Sequence, residues 1–244
     1  MTEIQRKINP DYGVDGPYAI WFLLICGVIF PAIGLFLFTL SGEWFKVAAI
    51  IFIAVGCMCV TFAAWIFIYA KVGKFHRRDQ IISILSLKGN EQVLDIGTGK
   101  GLLMIGIAKK LTTGKSVGID IWSKVDLTAN TYENAIKNAE LEGVREKVEV
   151  KNMDAQNMSF PDNSFDVVVS NLCIHNISKK EGRDKVCREI ARVLKPGGTA
   201  LISDIKAKRY VDELRKAGLK ASRCGSIYFG VFPPMDIIKG IKAS

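Results

Sequence analysis

The first place in this chain where backbone could meet a ligand is a cluster of glycines beside an aspartate. Val93-Leu94-Asp95-Ile96-Gly97-Thr98-Gly99-Lys100-Gly101 reads as a strand passing into a D-x-G-x-G-x-G loop and then a helix. Glycine is needed where φ must be positive or where a ligand comes against the main chain. The start of the following helix adds partial positive charge suited to a carboxylate. A second acid, Asp120 in Val117-Gly118-Ile119-Asp120, ends the next strand. An acid about 20–25 residues beyond a glycine loop is placed to accept hydrogen bonds from two ribose hydroxyls. Asp154-Ala155 follows a third strand, and Phe165-Asp166-Val167-Val168-Val169-Ser170-Asn171 forms a fourth. Arg192-Val193-Leu194-Lys195-Pro196-Gly197-Gly198 closes a long helix.

Two rival nucleotide motifs fail on direct counting. A dinucleotide fingerprint needs a third glycine three residues after its second; counted from Gly97 and Gly99, that position is Leu102. A P-loop needs GxxxxGK[ST]. Gly99-Lys100 has Leu94 and Gly101 at the outer positions, and Gly114-Lys115-Ser116 has Lys109 at the first.

Alternating strand and helix patterns must position these residues. Helices are predicted over 77–87, 102–111, 132–142, 180–194 and 211–217. Strands are predicted over 92–96, 116–121, 148–152, 165–170 and 199–204, with two final strands near 221–224 and 236–241. Short β-branched runs between amphipathic helices predict a parallel α/β sheet. Pro196 and Gly197 are stop signals for the helix before them.

Taken together, the five motifs resemble the class I S-adenosylmethionine-dependent methyltransferases, in the small-molecule, type 11-like branch with FDVVxS and LKPGG segments. The resemblance covers roughly 74–241. It implies a Rossmann-like seven-stranded methyltransferase sheet with helices on both faces, and S-adenosylmethionine as cofactor. It further implies that Asp95, Gly97, Thr98, Gly99 and Gly101 hold the methionine part. Asp120 would bind the ribose hydroxyls, and Ile121 and Trp122 would pack on the adenine. Asp154 and Ala155 would meet the adenine edge, and Asn171 and Leu172 would line the site beside the sulfonium. Structural readings stand beside these: Asp95 bracing its loop, Asp120 and Asp154 forming turns, Asp166 and the LKPGG turn serving the fold.

Methyl transfer from a sulfonium is an in-line displacement, so alignment is the enzyme's main contribution. A base is needed only where the nucleophile carries a proton. His175, in Asn171-Leu172-Cys173-Ile174-His175-Asn176, is the catalytic candidate, with ordering of its loop as the alternative. Tyr228, Phe229 and Phe232, ahead of Pro233-Pro234, are candidates for an apolar substrate wall. Ser170-Asn171-Leu172-Cys173 is not the Asn-Pro-Pro-Tyr type of segment expected of enzymes methylating exocyclic or amide nitrogens. The spaced cysteines of arsenite-methylating relatives are missing too. None of the six cysteines forms a CxxC or zinc pattern, so no metal site is expected, and the thiols read as reduced.

Hydrophobic residues make up 49% of the 244, which directs attention to membrane segments. Residues 18–40 and 47–70 carry no charge, and each makes a helix of about 35 Å, enough to cross a bilayer core of about 30 Å. They predict a transmembrane hairpin over 18–70, with 1–17 as an N-terminal segment and 71–244 as the methyltransferase domain. A signal peptide is excluded by length and by the second span that follows. Arg6 and Lys7 precede the hairpin and Lys71, Lys74, Arg77 and Arg78 follow it, so both termini and the domain are expected in the cytoplasm. This basic flank accounts for part of the +9 net charge through the lipid bilayer, and nucleic acid is not expected as a partner. Gly56, Ala63 and Ala64 suit close helix packing, within the hairpin or in an oligomer built through it.

The expected function is methylation of a small, hydrophobic or membrane-partitioned acceptor. The alternatives are a tethered protein or RNA methyltransferase, a non-catalytic S-adenosylmethionine-binding membrane protein, and a nicotinamide enzyme, which Leu102 disfavours.

Overall fold

The computed structural model describes residues 9–123, 125, 127–227 and 235–244. Arg6, Lys7, Tyr228, Phe229, Phe232 and the Pro233-Pro234 pair therefore lie outside the described residues.

Two long apolar helices come first, α1 (Pro17–Phe38) and α2 (Glu43–Ile68). Both are long and apolar enough to cross a membrane. Large side chains such as Trp21, Val28, Phe36 and Ile50 face outward around them. Pro31 stays inside α1, and Gly56 of α2 lies against its ring; a Cβ at Gly56 would come 2.3 Å from Pro31 Cδ. The small residues thus pack within the hairpin: Gly56 and Ala63 are buried, while Ala64 faces outward.

The second helix differs from the expected one at both ends. It begins at Glu43, so the connection is shorter than residues 41–46. It does not stop at 70 either. A π-turn (Tyr69–Gly73) joins α2 directly to α3 (Lys74–Leu85), making one helical rod from Glu43 to Leu85. Nothing in residues 69–85 breaks a helix: no proline, and Gly73 keeps α-helical dihedrals.

A seven-stranded sheet follows: β1 (Gln92–Ile96), β2 (Lys115–Asp120), β3 (Val148–Asn152), β4 (Phe165–Asn171), β5 (Leu194–Ile205), β6 (Leu219–Ile227) and β7 (Met235–Lys242). Their order is β3-β2-β1-β4-β5-β7-β6, parallel except for β7, which runs antiparallel to both neighbours. The remaining helices are α4 (Leu102–Ala108), α5 (Tyr132–Leu141), α6 (Lys180–Val193) and α7 (Tyr210–Lys216). Successive strand residues point to opposite faces. Leu94 and Ile96 pack under α6 and α7, while Val93 packs under α3 and α4. This is the expected seven-stranded architecture. One local reading changes. Lys195-Pro196-Gly197-Gly198 is the first part of β5 rather than a separate turn, with a register shift opposite Phe165–Val167 and Gly197 at φ 75°.

The chain leaves β1 toward β2 and β3, then returns to pair β4 on the other side of β1. Ligands in open α/β sheets collect at such a reversal, beyond the carboxyl ends of the strands.

Candidate active site

At the end of β1 the backbone turns sharply. Gly97 has φ 73°, and an added Cβ would lie 2.2 Å from Cys173 Sγ, so only glycine fits between the loop and the segment leaving β4. The amides of Gly97 and Thr98 donate to Ile119 O at 2.9 and 3.0 Å, pinning the loop to β2. Asp95 Oδ2 accepts from Thr98 Oγ1 (2.9 Å) and from Met104 N in the first turn of α4 (3.0 Å). The carboxylate is 1% exposed, and burial pushes its pKa up to about 7. This is the bracing geometry, although Asp95 also reaches the cavity wall.

Asp120 closes the opposite side. Its Oδ2 accepts from Gly99 N at 2.8 Å, and its Oδ1 from Trp122 N at 2.7 Å. Asn130 Nδ2 lies 3.4 Å from Oδ1 and donates to Ser123 O at 3.1 Å. Asp154 Oδ1 accepts from Gln156 N at 2.8 Å, ordering the turn after β3. Asn171 Oδ1 accepts from Ser203 Oγ at 2.8 Å.

These groups surround a cavity of about 310 Å³, within the size range of small-molecule sites. Asp95, Gly97, Thr98, Gly99, Asp120, Ile121, Asp154, Ala155 and Asn171 all line it. Gly101 does not: it stands at the N-cap of α4 with φ 86°. Nor does Trp122, whose ring packs edge-on against Tyr132 at 6.0 Å. A left-handed backbone at Trp122 (φ 61°) turns its side chain toward α5, leaving Ile121, 66% exposed, at the cavity.

His175 lies outside the cavity lining. Its Nδ1 is 2.6 Å from Asp204 Oδ1, and its backbone N–H donates to Asp204 Oδ2 at 2.9 Å. Tyr210 donates its hydroxyl to the same carboxylate at 3.1 Å, and Asp204 is fully buried. The short helical turn Ile174–Asn176 is thus tied to the end of β5.

The sequence reading missed the roof of the cavity. Residues 11–15, immediately before α1, lie across the domain. Asp11 N donates to Asn138 Oδ1, and Asn138 Nδ2 returns to Asp11 O. Asp15 bridges to Leu127, and Val14 N donates to Thr128 Oγ1. Lys100, inside the glycine loop, reaches Asp11 Oδ2 at 2.5 Å, which holds the Asp11 carboxyl below its ordinary range. Lys74 donates to Tyr12 O (2.7 Å), Gly13 O (2.6 Å) and Asp15 Oδ2 (3.3 Å). Lys74 is buried, which lowers its pKa against the pull of Asp15. Tyr12, Asp15, Lys74, Arg78 and Ile81 complete the wall. The signal available was small: Asp11 and Asp15 alternate with Gly13 and Gly16, directly ahead of an apolar run.

Residues 94–202, from within β1 to within β5, match the family model described as a methyltransferase domain. This stretch of the chain is similar to methyltransferase domains. S-adenosylmethionine is the cofactor named for solved structures of the same fold. An arsenite methyltransferase of Aquipseudomonas alcaligenes is 36% identical over 58% of this chain and 41% of its own. A demethylmenaquinone methyltransferase of Lactobacillus johnsonii is 27% identical over 64% of this chain and 57% of its own. The chain therefore spans about half the length of these curated relatives. A crystal structure of an S-adenosylmethionine-dependent methyltransferase from Aquifex aeolicus shares the fold, with TM-score 0.55 and 21% identity over 67% of this chain and 88% of that one. The hairpin, the 11–15 strap, α3, β6 and β7 lie outside the matched segment.

The cavity's chemistry fits this cofactor. Asn130 Oδ1 is a buried acceptor on the wall with no partner, suited to a donor on a ligand. Asp15, Asp95, Asp120 and Asp154 give the lining an acidic character, which suits a ligand that carries cationic sulfonium and ammonium groups. The close approach at Gly97 leaves bare amide backbone beside it.

Proposed function

We propose that this chain methylates a small, hydrophobic or membrane-partitioned acceptor, with S-adenosylmethionine as donor, from a domain held at the cytoplasmic face of a bilayer. One observation carries the reading. The helix that begins in the apolar hairpin runs unbroken through Tyr69–Gly73 into α3, and Lys74, Arg78 and Ile81 of that helix form part of the cavity wall. A site built onto the end of a membrane-length helix serves acceptors that concentrate in the membrane. The outward-facing apolar side chains of α1 and α2 and the cations after α2 support the same placement.

The cofactor, when bound, supplies a methyl already activated on a sulfonium. The chain's residues do the rest. Asp120 and Asn130 would hold the ribose side, and Asp154 with Ala155 the adenine edge. The glycine loop would receive the methionine part, with Asp95 keeping the loop in shape. The strap over the cavity excludes water from the reacting centre. His175, outside the cavity and held by Asp204 through Nδ1 and its backbone N–H, serves to fix the turn after β4 that carries Cys173 and Asn176 to the cavity wall.

The test is a methyl-label transfer assay with full-length protein, labelled S-adenosylmethionine and native membranes, with Asp120→Ala as control. Label in the organic-extractable fraction, lost in the variant, supports the proposal. Label in protein or RNA replaces it with a tethered modifier of macromolecules. Failure to bind S-adenosylhomocysteine overturns it in favour of a non-catalytic membrane protein.

A further inference from the structure

On α3, Lys74 and Arg78 reach the cavity, but Arg77 goes elsewhere. Its side chain is 1% exposed. Nε donates to Ser203 Oγ at 2.9 Å and Nη1 to Gln80 Oε1 at 3.1 Å. Nη2 is buried with no partner. Among the described residues no carboxylate pairs with this guanidinium. Asp236, whose field reaches it, is paired with Arg223 at 3.2 Å.

A second orphan lies within reach of the fields of Arg77 and Asp15. Tyr69, first residue of the π-turn, is 2% exposed and its hydroxyl has no partner. Its ring packs with Met235, Leu172 and Ile205. Leu172 lines the cavity, and so does Asn171, which Ser203 links to Arg77. The two orphans therefore stand one layer behind the β4–β5 end of the cavity, on the side where the hairpin joins the domain. π-turns inside long helices are frequent at functional sites.

Burying an unpaired guanidinium is among the costliest arrangements in a folded chain, and an unmatched hydroxyl adds to it. A purely structural arginine would be expected to have its second terminal nitrogen satisfied. Two buried donors without an acceptor, one of them on a guanidinium, suit an oxygen that carries negative charge.

We infer that Arg77 Nη2 and the Tyr69 hydroxyl form the seat for an oxyanion, phosphate or carboxylate, at the head of an amphipathic acceptor whose apolar body lies toward the hairpin. The inference rests on the acceptor class proposed above and narrows it from lipophilic to amphipathic and anionic.

The test uses full-length protein in detergent, with and without S-adenosylhomocysteine, titrated calorimetrically with hexyl phosphate, hexanoate and hexanol. At least one anion is expected to bind about tenfold tighter than the alcohol, the scale of a charge-assisted hydrogen bond. The anion that wins identifies the head group. Tyr69→Phe keeps the ring and is expected to weaken the anion severalfold. Arg77→Gln is expected to abolish the preference, and Arg77→Lys to keep part of it. S-adenosylhomocysteine affinity should stay within about twofold throughout. Equal binding of all three probes overturns the inference, as does a preference untouched by Tyr69→Phe and Arg77→Lys, even if Arg77→Gln fails to fold. Wild-type protein that prefers an anion but ignores S-adenosylhomocysteine would sink the methyltransferase proposal and leave the oxyanion seat standing.

Discussion

The glycine-loop side of the cavity and its hairpin side are built in opposite ways. On the loop side, the bonded partners lie 21 positions apart or fewer: Asp95 with Thr98 and Met104, Gly99 with Asp120, Asp120 with Trp122, with Asn130 Oδ1 and Trp122 Nε1 left over. On the hairpin side, partners come from far apart, such as Lys74 with Tyr12 and Arg77 with Ser203, and two donors have none. The first is a preformed mould whose shape precedes its ligand. The second is an assembly of long-range contacts with unfinished valences, the condition of a surface that awaits a particular guest. A mould tolerates little change of shape, whereas an assembly fails by coming apart.

Four substitutions would break or sharpen that contrast. The largest effect is expected for Gly97→Ala. A Cβ at 2.2 Å from Cys173 Sγ, on a backbone at φ 73°, should cost about 3 kcal/mol or more and abolish S-adenosylhomocysteine binding. Thermal melts and calorimetry would show it, and adding Cys173→Gly should restore part of the loss. A neutral result would mean that the mould is soft.

Asp95→Asn comes next, and its effect depends on pH. The folded carboxyl titrates near 7, above its ordinary 3.8, so the fold favours the protonated form. That contribution is complete below the unfolded value and is lost as pH rises to about 7. In melts without cofactor, the variant should gain on wild type between pH 4 and 7, by up to roughly 4 kcal/mol, and hold level above. A difference that does not change with pH would remove the buried-carboxylate account.

On the hairpin side, Lys74→Met keeps most of the side-chain volume and removes the donor shared by Tyr12 O, Gly13 O and Asp15. We expect a loss of about 2 kcal/mol, read as faster proteolysis within residues 11–16, with weaker cofactor binding. Unchanged protection would uncouple strap from helix. The smallest effect is expected for Asp166→Asn, far from either side. Asp166 accepts from Gln92 N and Lys195 on a partly exposed edge, so about 0.5–1 kcal/mol should be lost with cofactor affinity intact.

The contrast also explains what could be read from residues alone. Strand and loop positions around Asp95 and Asp120 were legible because turn chemistry and alternation are local, and all seven strands were expected near where they lie. LKPGG was read as a stop because Pro and Gly usually end elements; here Gly197 at positive φ absorbs a register shift and the strand runs on. Trp122 was placed on the adenine by position in the chain, and a single left-handed residue sends its ring the other way. The strap, Lys74 and Arg77 were not legible as site elements, since nothing near them in sequence reveals partners 60 to 130 positions away. The uninterrupted helix was hidden by the change of composition at Lys71, which marks a change of surroundings and not of backbone.

That helix has a geometric consequence. A rod turns 100° and climbs 1.5 Å with each residue, so both the azimuth and the altitude of the domain are locked to the hairpin. The protein has no swivel there. One alanine inserted after Gly73 would swing the cavity mouth by about a quarter turn relative to α1, and four would nearly restore its heading about 6 Å farther out. If the hairpin spans a bilayer as proposed, heading should matter more than height, and methyl transfer should rise and fall with the phase of the insertion.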